Sequence, residues 1–212
     1  MKATDFFNNL YDLFAKVLPG FILIVGIYAF FPQVKEFIPT LSLDLAGITL
    51  FVAAYVTGHV ISPISALLDS VADYFADKIN ALRSNNLFDE RKAAKAKARA
   101  LFTVEGDKVI RRRLFEAMVR KQNLNVTVEI DTFLATGKFF RSLFVVLVMF
   151  ATFPALTSCS NCIMEKLKLP IYYAMLGMLS AASFSIFVYY RSRFQDSVYR
   201  HFLCLFYKAK EE

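Results

Sequence analysis

Residues 45–70 read "LAGITLFVAAYVTGHVISPISALLDS", and how this stretch is read decides the fold. From Leu45 to Leu68 it is apolar for longer than a soluble core helix needs, yet it carries His59, Pro63 and then Asp69. A helix crossing the hydrocarbon of a bilayer needs about 20 residues, with a range of about 17–25. This run meets that length and reads as a membrane span.

Three further apolar blocks extend the reading in both directions. Residues 13–31, "LFAKVLPGFILIVGIYAFF", form a span if Lys16 snorkels to the interface. Residues 142–157, "SLFVVLVMFATFPALT", are the shortest block and extend back as an amphipathic helix to about Phe139. The fourth block is 170–190, bracketed by Tyr172/Tyr173 and Tyr189/Tyr190. These tyrosine pairs lie about 24 Å apart along a helix, near the hydrocarbon thickness, as interfacial aromatic belts do. The composition agrees: 57% of the 212 residues are hydrophobic, with 23 Phe and no Trp. Mean hydropathy is +0.45, and soluble domains hold roughly 45–50% apolar residues. The first block follows Asp5 and Asp12 and lacks a small-residue cleavage site, so it reads as a retained anchor rather than a signal peptide.

The expected fold is therefore all-α: a four-helix transmembrane bundle with a helical cytoplasmic insert between spans 2 and 3. Its parts are 1–68 (lead-in and spans 1 and 2), 69–138 (basic insert), 139–190 (spans 3 and 4) and 191–212 (cytoplasmic tail). Four crossings place residues 1–16, 64–141 and 191–212 on one side, with 22 of the 25 Lys and Arg residues. Positive charge stays cytoplasmic, so both termini and the insert are expected inside a bacterial inner membrane. The same rule, with attraction to anionic lipid, accounts for the net charge of +7 and leaves nucleic acid disfavoured as a partner.

Within the insert, "LFDERKAAKAKARALF" (87–102) is a good helix former. "KVIRRRLFEAMVRKQN" (108–123) is a second helix, and "NLNVTVEI" (123–130) is either one short strand or an irregular entry to the next helix. Arg111, Arg112 and Arg113 are the candidate contact for a cytoplasmic protein or signal molecule; they lack the interleaved aromatics that stack RNA bases.

On a helical wheel Tyr55, His59, Ser62 and Asp69 fall within about 80° of His59. Polar residues at membrane depth usually face a bundle interior or a cavity, so Tyr55, Gly58, His59, Ser62 and Asp69 are the candidate conduit or gate. The competing reading is a neutral histidine bonded to a neighbouring helix. Under it Asp69, Asp73 and Asp77 belong to a solvated extension. Ala54, Gly58 and Ser62 form a small-xxx-small series, repeated by Gly177, Ala181 and Ser185, and the two series suit close helix contact within the bundle or between subunits. A homo-oligomer in the lipid bilayer is expected.

No enzyme is expected, with no catalytic residue, metal or cofactor. The aspartate run lacks the glycines and the Asp-Gly-Ala-Arg portion of the lipid phosphatidyltransferases. Only two histidines are present, too few for most acid–base schemes. Cys159 and Cys162 ("CSNC") allow an outer-loop disulfide but lack the second pair a zinc site needs. No internal repeat supports a small transporter.

"AKVLPGFILIVGIYAFF" followed by "AAYVTGHVIS", a basic insert and two more spans loosely resembles a group of uncharacterised bacterial multi-span membrane proteins. They share a Leu-Pro-Gly entry to the first helix, here Leu18–Gly20, and a Gly-His pair in the second, here Gly58–His59. Some sit beside antiphage defence genes. The resemblance implies a pore-forming or membrane-perturbing effector or accessory subunit. A scaffold anchoring a soluble partner through the basic helices, or a small transporter, is the alternative.

Overall fold

The computed structural model describes residues 3–31, 34, 43–83, 92–98, 100, 112–122, 124–156 and 169–208. Among these the chain is all-α, with seven helices and no strand. They are α1 (Ala3–Phe30), α2 (Leu43–Ala66), α3 (Asp69–Arg83), α4 (92–98), α5 (Arg112–Gln122), α6 (Leu124–Leu156) and α7 (Leu169–Lys208). Four contain stretches long and apolar enough to cross a membrane: Leu13–Phe30, Leu45–Ala66, Thr127–Phe153 and Pro170–Leu205.

The third and fourth helices are longer than their apolar blocks. Residues 124–130, the possible strand, are helical and continuous with the third span, so α6 begins well before Phe139. The carbonyls of Leu124–Ile130 find their donors within the helix, which no isolated strand at that position could offer. The fourth helix likewise runs past Tyr190 without a break, to Lys208.

The chain divides into two compact units: Met1–Asp69 with Ala135–Phe187, and Ser70–Leu134 with Val188–Glu212. Residues 191–212, expected as a separate tail, therefore belong with the insert in one unit.

The first unit rests on a close crossing of α1 and α2. A Cβ on Gly20 would collide with the Ala54 carbonyl and the Gly58 amide, and one on Gly58 with the Lys16 carbonyl. Backbone meets backbone in both directions, at positions 16 and 20 of one helix and 54 and 58 of the other. Only hydrogen side chains fit at 20 and 58, which is how small-residue series associate helices where no hydrophobic force operates between them. The Leu-Pro-Gly and Gly-His segments thus meet at one contact. Above it Gly26 packs directly on the Phe150 ring. Leu23, Ile61, Val146 and Phe153 complete a small core, lined by edge-to-face pairs of Phe153 with Phe30 and Phe31 at 5.6 and 5.3 Å.

The outer surfaces of these helices are apolar. Along α1 Tyr11, Phe14, Leu18, Phe21, Val25 and Tyr28 are all exposed, at the 3–4 residue spacing of a single helix face. On α2 Ile48, Phe51, Val56, Val60 and Ile64 are each half or more exposed. Patches of this extent on soluble monomers are rare and mark a membrane or a partner.

The second unit has an ordinary soluble-type core. Ala94 and Ala98 of α4, Phe115 and Val119 of α5, Ile130 of α6, and Phe194, Val198, Tyr199 and Phe202 of α7 are all buried together. Phe115 stacks edge-on against Tyr199 and Phe202, at 5.3 and 4.6 Å. Such pairs add about 0.5–1.5 kcal/mol beyond their burial. Arg120 bridges Glu116 (3.0 Å) and Asp131 (2.6 Å). Burial works against the charged guanidinium, but the hydrogen bond and charge of Asp131, with those of Glu116, more than offset it and raise the Arg120 pKa.

The polar stripe of the second span

Burial splits the five conduit candidates into three environments. On α2 the buried positions are Ala54, Gly58, Ile61 and Ser65, a spacing of four, three and four residues that defines the face packed in the first unit. Gly58 belongs to that face. Tyr55 and His59 point the other way: both are exposed, their rings stack with centroids 4.2 Å apart, and His59 Nδ1 lies 3.2 Å from the Tyr55 carbonyl oxygen. Pro63 has no N–H, so the His59 carbonyl, four residues earlier, lacks its intrahelical donor. The imidazole Nε2 and this carbonyl lie about 10 Å along the helix from its Ala66 end. A single turn of the outward face therefore carries two polar groups amid Val56, Val60 and Ile64.

Ser62 and Asp69 join a different site. The wheel does not carry through to Asp69, because α2 stops at Ala66. Leu67 and Leu68 form a turn closed by amide bonds to the Ile64 and Ser65 carbonyls at 3.3 and 3.0 Å. Asp69 starts α3 as its first-turn acid, where the helix dipole favours a negative charge. There it meets Arg141 of α6. Arg141 is 7% exposed. It donates to Asp69 Oδ1 at 2.7 Å, to the Ser65 hydroxyl at 3.1 Å and to the Ser62 carbonyl at 3.4 Å. Ser65 in turn donates to the Ser62 carbonyl and lies 3.3 Å from the Ser142 hydroxyl. A buried guanidinium is stable only with a carboxylate and further acceptors of this kind around it. The cluster fastens the α2–α3 turn to α6.

Asp73 is similarly engaged rather than simply solvated. Within the second unit it accepts from Arg191 at 2.6 and 3.0 Å and from the Gln195 amide at 3.0 Å. The aspartates at 69 and 73 are thus ion-paired, each to an arginine that sequence places at a span end. Asp77 is exposed.

The small-residue positions part company as well. Ala54 is fully buried at the α1 crossing. Gly177, Ala181 and Ser185 are exposed, and a Cβ on Gly177 would meet nothing within 4 Å. The Ser185 hydroxyl turns back onto the Ala181 carbonyl at 2.8 Å. Within the chain the structure does not bring the two series together. Arg111, Cys159 and Cys162 lie outside the described residues, as do the side chains of Arg112 and Arg113, whose backbones open α5.

Sequence reasoning missed the Arg141 cluster and the Asp73–Arg191–Gln195 group. Each arginine was visible at a span end, and an acid four residues from another acid on one helix was the available signal for its partner. Among the described residues no group of three or more His, Cys, Asp or Glu side chains is placed to hold a metal ion. No protein-family model, curated protein or solved structure matches the chain.

Proposed function

We propose that the protein is an oligomeric four-span protein of the bacterial cytoplasmic membrane, with both termini inside. It acts as a pore-forming or membrane-perturbing effector, or accessory subunit, of an antiphage defence system. The observation that carries this reading is the Tyr55–His59 pair on the outward face of α2, beside a His59 carbonyl that Pro63 deprives of its usual i+4 donor. In hydrocarbon an unsatisfied polar group costs several kcal/mol, so this turn is stable only against protein or water. A neighbouring copy supplies both. Copies joined there bring a ring of imidazoles together, and water drawn to them opens a path for ions. Gly58 serves that path indirectly, by holding α2 on α1, and the Arg141 cluster holds its inner end.

Orientation rests on the positive-inside distribution of Lys and Arg. The defence context rests on the Leu-Pro-Gly and Gly-His resemblance. The test is membrane potential in cells as the protein is induced with its genomic neighbours. Wild type depolarises the membrane, and His59→Ala does not, although it remains resistant to carbonate extraction. Equal depolarisation by His59→Ala contradicts the reading.

The scaffold reading is favoured by the aromatic core of the second unit, which gives a partner-docking domain a stable body of its own. It predicts a steady membrane potential and tolerance of His59→Ala.

A further inference from the structure

Four cations of the second unit are held in two different ways. Arg120 and Arg191 are satisfied by carboxylates. Lys78 and Arg193 have no carboxylate partner among the described residues, and each is instead held by the tyrosine four residues before it. The Lys78 ammonium sits 4.7 Å from the Tyr74 ring centroid. The Arg193 guanidinium carbon sits 5.3 Å from the Tyr189 ring centroid, and its Nε donates to the Tyr189 hydroxyl at 3.0 Å. A tyrosine orients each cation without neutralising it, and leaves its remaining N–H groups for an anion.

Exposed apolar side chains share the Lys78 side of α3. On α3, Ala72 and Ala76 are buried, whereas Val71, Tyr74 and Phe75 are 44%, 57% and 42% exposed. With Lys78 these fall on one side of the helix, within about 100° of arc. Yet α3 is not among the helices apolar enough to span a membrane, and it follows α2 after only two residues. An amphipathic helix with aromatic residues on its apolar face and a cation beside them is suited to lie in the headgroup region. Tyr189 and Arg193 recur at the inner end of the fourth apolar block, where interfacial aromatics and positive charge are both expected.

We infer that Lys78 with Tyr74, and Arg193 with Tyr189, bind the phosphates of anionic phospholipids in the cytoplasmic leaflet, with the Val71–Phe75 face of α3 seated among the lipid headgroups. Each ring fixes its cation at headgroup depth, and the lipid phosphate supplies the negative charge that no carboxylate of the described residues provides. The inference rests on the four-span, termini-inside reading.

The test uses the full-length protein purified in mixed micelles holding equal amounts of phosphatidylglycerol and phosphatidylcholine, with retained lipids counted by native mass spectrometry. Wild type retains phosphatidylglycerol in excess. Lys78→Gln and Arg193→Gln each lower the ratio by about fivefold, and the pair by about thirtyfold, whereas Arg193→Lys keeps most of it. Circular dichroism confirms that the variants stay helical. No excess in wild type, an unchanged ratio in the double variant, or full competition by inorganic phosphate overturns the proposal. Release of wild-type protein from membranes by carbonate overturns the four-span reading instead.

Discussion

Ala54–Gly58 on α2 and Gly177–Ala181–Ser185 on α7 carry the same small-xxx-small pattern and meet opposite fates. The first is pressed against α1 so closely that a single methyl would strike a carbonyl. The second lies open, with nothing near Gly177. Small residues permit close approach; they do not say which neighbour will come. What selects the first pair is reciprocity, since Gly20 of α1 stands opposite Ala54 and Gly58, while no described helix offers α7 a matching notch.

Substitutions sharpen this contrast. The largest effect is expected from Gly58→Leu. Its side chain has no space against the Lys16 backbone, and forcing it in costs at least the upper end of the ~1–3 kcal/mol typical of overpacking. Thermal unfolding in detergent should show the loss, and Gly20→Leu should show the same.

Arg141→Met comes next. It strips Asp69, the Ser65 hydroxyl and the Ser62 carbonyl of their shared donor, and hydrogen bonds to a charged group are worth about 1.5–3 kcal/mol each before partial exposure of Asp69 is allowed for. Adding Asp69→Asn should recover part of that loss in the double variant, because it removes the orphaned charge.

Gly177→Leu should leave the stability of the chain within about 0.5 kcal/mol, as an open surface position does. If it instead changes the size of the detergent-solubilised assembly, that face of α7 is a contact between copies. The smallest stability effect is expected from His59→Ala, also within about 0.5 kcal/mol, in contrast to the loss of depolarisation proposed for it.

Much of this architecture is legible in the sequence because an apolar run of membrane-spanning length is visible there: the four apolar blocks fall in four long helices. Their ends were less legible. Glu129, Asp131 and Arg141 argue against a span when counted singly, but each has a partner. Glu129 lies 3.3 Å from the Ser197 hydroxyl and 3.4 Å from His201. Asp131 meets Arg120, and Arg141 meets Asp69. Pairing is set by tertiary contact, which hydropathy does not see. In residues 191–212, Phe194, Val198 and Phe202 repeat every fourth residue and so announce a buried helix face. In the stripe, a wheel drawn through residues 55–69 merges two helices across the turn at 67–68. That is why Tyr55 and His59 were grouped with Ser62 and Asp69, which serve another site.

The claim that the outward face of α2 meets a second copy is tested most directly by cysteine cross-linking in native membranes. With the three natural cysteines replaced by serine, a cysteine is placed at His59 or, as a control, at Ile61, which is 2% exposed. The account predicts oxidised dimers from position 59 and none from position 61. Monomer at both positions, with the protein still embedded in the membrane, would contradict it.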